Sequence, residues 1–115
     1  MKKRHYSIIL IIVVITLFAL IENKANATIH TITVQNNFFS PSSINVLVGD
    51  TVHFQWVEGN HTTTCDPGTL PGTSYPAGFF GWDAVMNSGN TDYYVAITQP
   101  GAYVYGCQPH WPAMQ

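Results

Sequence analysis

The stretch that decides the reading is Gly101-Ala-Tyr103-Val-Tyr105-Gly-Cys107-Gln-Pro109-His110-Trp-Pro-Ala-Met114. Tyr103, Tyr105 and Cys107 alternate, which puts them on one face of an extended strand with Cys107 at its exit. A thiolate, an imidazole and a thioether are thereby gathered into one short segment. Cys and Met are soft ligands and His is borderline, a mixture suited to copper in either of two oxidation states. Pro109 stiffens the turn that presents His110, and Met114 follows closely enough to approach the same ion axially. A trigonal His2Cys set with a long axial Met is the blue-copper arrangement, and it requires one more imidazole from elsewhere. His61 is in place to supply it, since it follows an apolar strand after the polar turn Glu58-Gly59-Asn60.

Outward from that segment the chain reads as all-β. Ile29 to Val34 is rich in Ile, Thr and Val and ends at the turn signal Asn36-Asn37. Ile44, Val46 and Val48 alternate with Asn45 and Leu47. Gly49-Asp50 then turns the chain into Thr51 to Val57, where Val52, Phe54 and Trp56 share one face, so these two runs are expected to form a hairpin. Between Glu58 and Asn90 periodicity is lost among Pro67, Pro71, Pro76 and several glycines, and a long irregular loop is expected there. Phe79, Phe80 and Trp82 in that loop are expected to cover the core, as is Met86, the reserve axial candidate. Strand patterning resumes over Asp92 to Thr98, with Tyr93, Val95 and Ile97 alternating, and Pro100-Gly101 makes the turn into the decisive segment. Short strands separated by Pro/Gly turns indicate a β-sandwich or barrel. His30 and His53 lie in strands and are expected to be solvated or hydrogen-bonded.

The first residues read as a processing signal. Lys2, Lys3 and Arg4 precede an apolar run from Ser7 to Ile21, and Ala25-Asn26-Ala27 is a small-x-small exit. These are the three parts of a secretory signal peptide, 1–27, and the run is shorter than the ~20 residues of a spanning helix. One domain, 28–115, remains, exported to the periplasm or beyond the cell, and touching a membrane only if the signal segment stays uncleaved. Lys2, Lys3, Arg4 and Lys24 are the only basic residues besides histidine, and all lie in the removed part. Asp50, Glu58, Asp66, Asp83 and Asp92 remain, giving the mature domain a formal charge of about −5. A domain without Lys or Arg cannot neutralise phosphates, which excludes nucleic acid as a partner, and any protein steered by charge should present a basic surface.

Several chemistries compete for the same side chains. In an exported chain, Cys65 and Cys107 read by default as a disulfide. His61, Cys65, Cys107 and His110 could instead make a four-coordinate structural zinc site. Copper delivery or storage would use the copper set without electron transfer. Copper oxidases and nitrite reductases need a second copper centre bound by further histidines. The mature domain has only His30, His53, His61 and His110, so no enzyme is expected.

Two motifs carry a resemblance to the cupredoxin family. Gly49-Asp50-Thr51-Val52-x-Phe54-x-Trp56 with Asn60-His61-Thr62 resembles the segment that delivers the first copper histidine. Gly101-x-Tyr103-x-Tyr105-x-Cys107-x-Pro109-His110-x-x-x-Met114 resembles the second motif, as in plastocyanins and pseudoazurins. With Asn37-Phe38-Phe39-Ser40-Pro41 and the Ile44 to Val48 run, the resemblance covers nearly all of the mature domain. It implies a Greek-key β-sandwich, one copper ion cycling between Cu(I) and Cu(II), and a monomer carrying electrons between redox protein partners. By position it implies His61, Cys107, His110 and Met114 as the ligands. Two departures follow. The family continues past the methionine into a final strand, whereas this sequence stops at Gln115, so either the sequence is truncated or an open sheet edge is expected. Cys65 has no place in the minimal ligand set. Trp111, beside His110, is the expected exposed contact where electrons leave.

Overall fold

The computed structural model describes residues 26–115; the basic start and apolar run of the predicted signal peptide lie outside them. Among the described residues six strands are formed: β1 (Ile29–Gln35), β2 (Phe38–Ser40), β3 (Thr51–Trp56), β4 (His61–Cys65), β5 (Trp82–Met86) and β6 (Asp92–Ala96). They make one sheet in the order β2-β1-β3-β6 and a second in which β4 pairs with β5. The all-β architecture of two sheets expected from the sequence is what forms.

Period-two alternation builds the first sheet. Ile32 and Val34 of β1, Val52 and Phe54 of β3, and Val95 of β6 turn inward and are buried. Their outward neighbours include His53, which stacks on Tyr94 with ring centroids 4.4 Å apart and meets the Asp92 carboxylate at 2.7 Å. Aromatic rings join the two layers. Phe54 lies 5.2 Å from Tyr105 and 5.9 Å from Trp82, centroid to centroid, and Phe39 packs on Phe54 and Tyr105 edge-on. Each such pair adds roughly 0.5–1.5 kcal/mol beyond the area it buries.

Three expectations are corrected. Ile44 to Val48 does not pair with β3 in a hairpin; β3 lies between β1, parallel to it, and β6, antiparallel. Ile44 and Val46 do pack on the core, but Gly49, at φ 99°, donates its N–H to the Ile97 carbonyl and carries the chain away. The expected loop between Glu58 and Asn90 contains both β4 and β5. Phe80 does not cover the core: it is 94% exposed, while Phe79 and Trp82 pack inward and Met86 is fully buried.

Ala102 to Cys107 is held by isolated bridges rather than a continuous ladder, and one of them reaches β4. Val104 exchanges backbone hydrogen bonds with Ser74, and Gly106 does so with Thr64, the latter at 2.9 Å in both directions. A groove of about 400 Å³ separates Gly101–Tyr105 from Ser42–Val46, with Ile32, Phe54 and Trp82 on its floor. Among the described residues no strand lies in it.

Asp50 locks the pole of the sandwich remote from His61. Its carboxylate accepts the N–H groups of Thr28 and Leu47, both at 3.0 Å, and contacts His30 Nε2 at 2.8 Å. Those bonds, Leu47's first, then Thr28's and that of His30, hold its pKa down at about 2. A folded-state pKa below the unfolded 3.8 means that this contribution is complete above about pH 4 and is lost as pH falls through 2. Melting temperatures from pH 2 to 7 should therefore show an acid-side decline in the parent that is shallower in Asp50→Asn, which starts from lower stability at pH 7. Parallel curves would show that the Asp50 charge does not contribute to the acid limb.

Candidate metal centre

His61 opens β4, Cys107 closes the bridged segment that pairs with it, and His110 ends a short 3-10 turn, Gln108–His110. The Gly106–Thr64 bridge thus sets the Cys107 strand end beside the start of β4. Pro109 sits at the start of the turn, where its missing N–H costs nothing. The loop then closes on itself. His110 N–H donates to the Cys107 carbonyl at 3.2 Å, Met114 N–H to the His110 carbonyl at 3.1 Å, and Cys107 N–H to the Met114 carbonyl at 3.0 Å.

Three ligand atoms converge as a result. His61 Nδ1 and His110 Nδ1 are 3.2 Å apart, and Cys107 Sγ lies 3.7 Å from the first and 3.3 Å from the second. A point equidistant from all three lies about 2 Å from each, close to the length of a first-row metal–imidazole bond. The donor set therefore fits a small, thiophilic ion in a trigonal plane. His61 and Cys107 are buried, His110 is half-buried, and Met114 is fully buried in the same core cluster as Cys107.

Burial favours the neutral forms of Cys107 and His61. It raises the Cys107 thiol above its ordinary pKa, against the pull of hydrogen bonds from Thr62 and His110. It lowers the His61 imidazole, with the neighbouring His110 charge acting in the same direction and Glu58 partly opposing both. A neutral imidazole is the form that binds metal. Thr62 N–H points at Cys107 Sγ from 3.4 Å, a donor suited to a thiolate.

Cys65 is not part of the cluster. It ends β4, four residues along an extended strand from His61 and thus roughly 13 Å away. Its thiol donates to the Ser74 carbonyl at 3.2 Å, and burial pushes its pKa up to about 12. Both cysteines are free, so the structure forms neither the disulfide nor the four-ligand zinc site. Trp111 is half-buried, and its indole lies over Gly106 and Gly72, where a Cβ on either glycine would overlap it. His30 and His53 each meet an aspartate, as expected of strand histidines.

Sequence reading missed the supports around the ligands. Thr62, Thr64, Asp83 and Gln108 form a hydrogen-bonded group behind Cys107, and Gly59 closes against His61. The only signal for them was the Thr62-Thr63-Thr64 run, which has no apolar period.

The comparisons agree with this geometry. The family described as copper binding proteins, plastocyanin/azurin family, matches residues 27–115. Among solved structures, a Sinorhizobium pseudoazurin is similar at a TM-score of 0.56 and 25% identity, over 72% of this chain. This chain spans 65% of that pseudoazurin's length. A mutant fern plastocyanin (TM-score 0.54, 23% identity, 70% of this chain and 88% of that one) shares the fold. So does a mutant amicyanin in its oxidised form (0.56, 24%, 82% and 81%). By sequence alone, no curated protein matches.

Gly59 offers a test of how tightly His61 is held. Its φ is 81°, and a Cβ there would run into His61 Nε2 and Asn36 Oδ1. Gly59→Ala should weaken copper binding at least tenfold by titration while lowering the melting temperature only modestly. Unchanged affinity would mean that the imidazole position is not set by this contact.

Proposed function

The chain belongs to the plastocyanin/azurin family of copper-binding proteins, and we propose that it carries single electrons between protein partners outside the cytoplasm on one copper ion. His61, Cys107, His110 and Met114 would hold the ion. The observation that carries this reading is the convergence of two imidazole nitrogens and one thiol sulfur on a single point, in a loop whose closing residue is the buried Met114. When bound, copper supplies one-electron chemistry by moving between Cu(I) and Cu(II).

The chain's own residues make that exchange easy. Three ligands come from one hydrogen-bonded loop and one from a strand end, so the cage is fixed before any ion enters. Four protein ligands leave no open position for a substrate, which favours a carrier over an enzyme. His110, half-buried at the pole, is the edge through which a partner would exchange electrons. A mature domain without Lys or Arg suits a basic docking surface on that partner.

Cys107→Ser should abolish the intense visible band of the copper-loaded protein, because a hydroxyl is a harder and less covalent ligand. Cys65→Ser should retain the band, the thiol being at the far end of β4. A folded Cys65→Ser protein without colour would overturn the ligand assignment, and a colourless parent would overturn copper.

Export is supported by the fit of the expected cleavage product. A cut after Ala27 turns the Thr28 amide into an ammonium 3.0 Å from Asp50 Oδ1, in place of a neutral N–H. N-terminal sequencing of material from outside the cytoplasm should begin at Thr28; a start at Met1 or Lys2 would refute cleavage.

A further inference from the structure

The outward face of the β4–β5 sheet carries a chain of hydrogen bonds that ends at the peptide following Cys107. Thr64 and Asp83 are cross-strand partners, and Asp83 Oδ1 accepts the Thr64 hydroxyl at 2.8 Å. The same oxygen accepts the side-chain amide of Gln108 at 2.7 Å, and that amide also reaches Thr64 Oγ1 at 3.3 Å. Thr62 Oγ1 lies 2.9 Å from Thr64 Oγ1 and accepts the backbone N–H of Gln108, also at 2.9 Å.

The carboxylate fixes the direction of every bond in this chain. An ionised carboxylate only accepts, so Thr64 must give it its single hydroxyl proton. Thr64 is then left only to accept, and Thr62 must donate to it. The Thr62 lone pairs are thereby free for the Gln108 N–H. Without Asp83 both hydroxyls can rotate and reverse, and Thr62 Oγ1 would then divide its two lone pairs between the Thr64 hydroxyl and the Gln108 N–H. Gln108 is an exposed, rotamer-rich residue, and holding its side chain costs entropy that a charge-assisted bond offsets.

We propose that Asp83 is a positioning residue for Cys107: by orienting the Thr64–Thr62 hydroxyl chain and anchoring Gln108, it clamps the Cys107–Gln108 peptide to β4 and so fixes the direction of Sγ. The role in electron transfer rests on the reading of Cys107 as a copper ligand, whereas the clamp itself belongs to the metal-free protein. Thr62 N–H, which points at Sγ, sits on the same residue that receives the Gln108 N–H. One threonine therefore registers both the sulfur and the peptide beyond it.

Amide hydrogen exchange on the metal-free protein reads the clamp, and the visible band and reduction potential of the copper-loaded protein read its effect on Sγ. In Asp83→Leu the amide at position 108 should exchange about tenfold faster, while that of Ile32 in the core changes little. Asp83→Asn, which keeps an acceptor, should restore most of the protection. Asp83→Leu should also move the band and the potential, whereas Val85→Ala, on the same outward face, should move neither. Uniform acceleration across the sheet, no acceleration at 108, or an unmoved band and potential would overturn the proposal. If Asp83→Leu does not fold, Gln108→Ala decides in its place: selective acceleration at 108 supports the clamp and unchanged exchange refutes it. A parent protein without a visible band would overturn the copper reading alone, since the exchange result on metal-free protein stands apart from it.

Discussion

The pairing of Gly106 with Thr64 is the contact on which the centre depends. Two backbone hydrogen bonds, each 2.9 Å, tie the end of the Cys107 segment to the middle of β4. Because β4 begins at His61, that register decides how far apart the imidazole and the thiol lie. A slip of one residue would turn Cys107 to the opposite face of the sheet and send its sulfur outward. Gly106 is needed here for space as well: the Trp111 indole and the Met114 carbonyl crowd its Cα. The ring of Trp111 thereby becomes a lid on the hydrogen-bonded pair, excluding water that would compete for it.

The same register separates two chemically identical side chains. Cys65 and Cys107 are both fully buried and both free. Cys65 ends β4 beside the aromatic layer, donates to a carbonyl, and has no imidazole near it, so burial, with the Asp66 charge acting the same way, governs it. Cys107 meets two imidazoles and a backbone N–H directed at its sulfur. Burial disfavours the bare thiolate at both positions. Only at Cys107 are there groups that favour it, and only there would a cation replace the proton.

Much of the fold and of the centre could be read from residue order. Strands β1, β3 and β6 alternate plainly because one face of the sheet meets the core and the other meets water. His61, Cys107 and His110 could be paired because ligand softness narrows the chemistry before geometry is known, and the structure brings their atoms within 3.7 Å. Strand β4 was hidden for a physical reason. His61 to Cys65 is buried on both faces, so no alternation between apolar and polar residues marks it. Its threonines are tolerated inside because each hydroxyl is paired: Thr63 with Trp82 Nε1, Thr62 with Thr64, and Thr64 with Asp83. Strand β5 does alternate, Trp82, Ala84 and Met86 pointing in, but its five residues lie between glycine-rich turns that dominated the reading. Ile44 to Val48 erred in the other direction, because a sound apolar pattern specifies which side packs inward and not which backbone lies alongside.

The proposed electron transfer would need a site whose shape does not depend on its charge. The energetics of this pole meet that need through division of labour. The loop from Cys107 to Met114 is closed by its own backbone bonds. The outward threonine chain holds the peptide after Cys107 from behind, and the aromatic layer of Phe54, Trp82 and Tyr105 resists compression from below. None of these restraints draws its strength from a metal–ligand bond. The geometry is therefore established by folding, and an ion bound there would meet three candidate ligand atoms already in place, which is the condition for a small reorganisation cost.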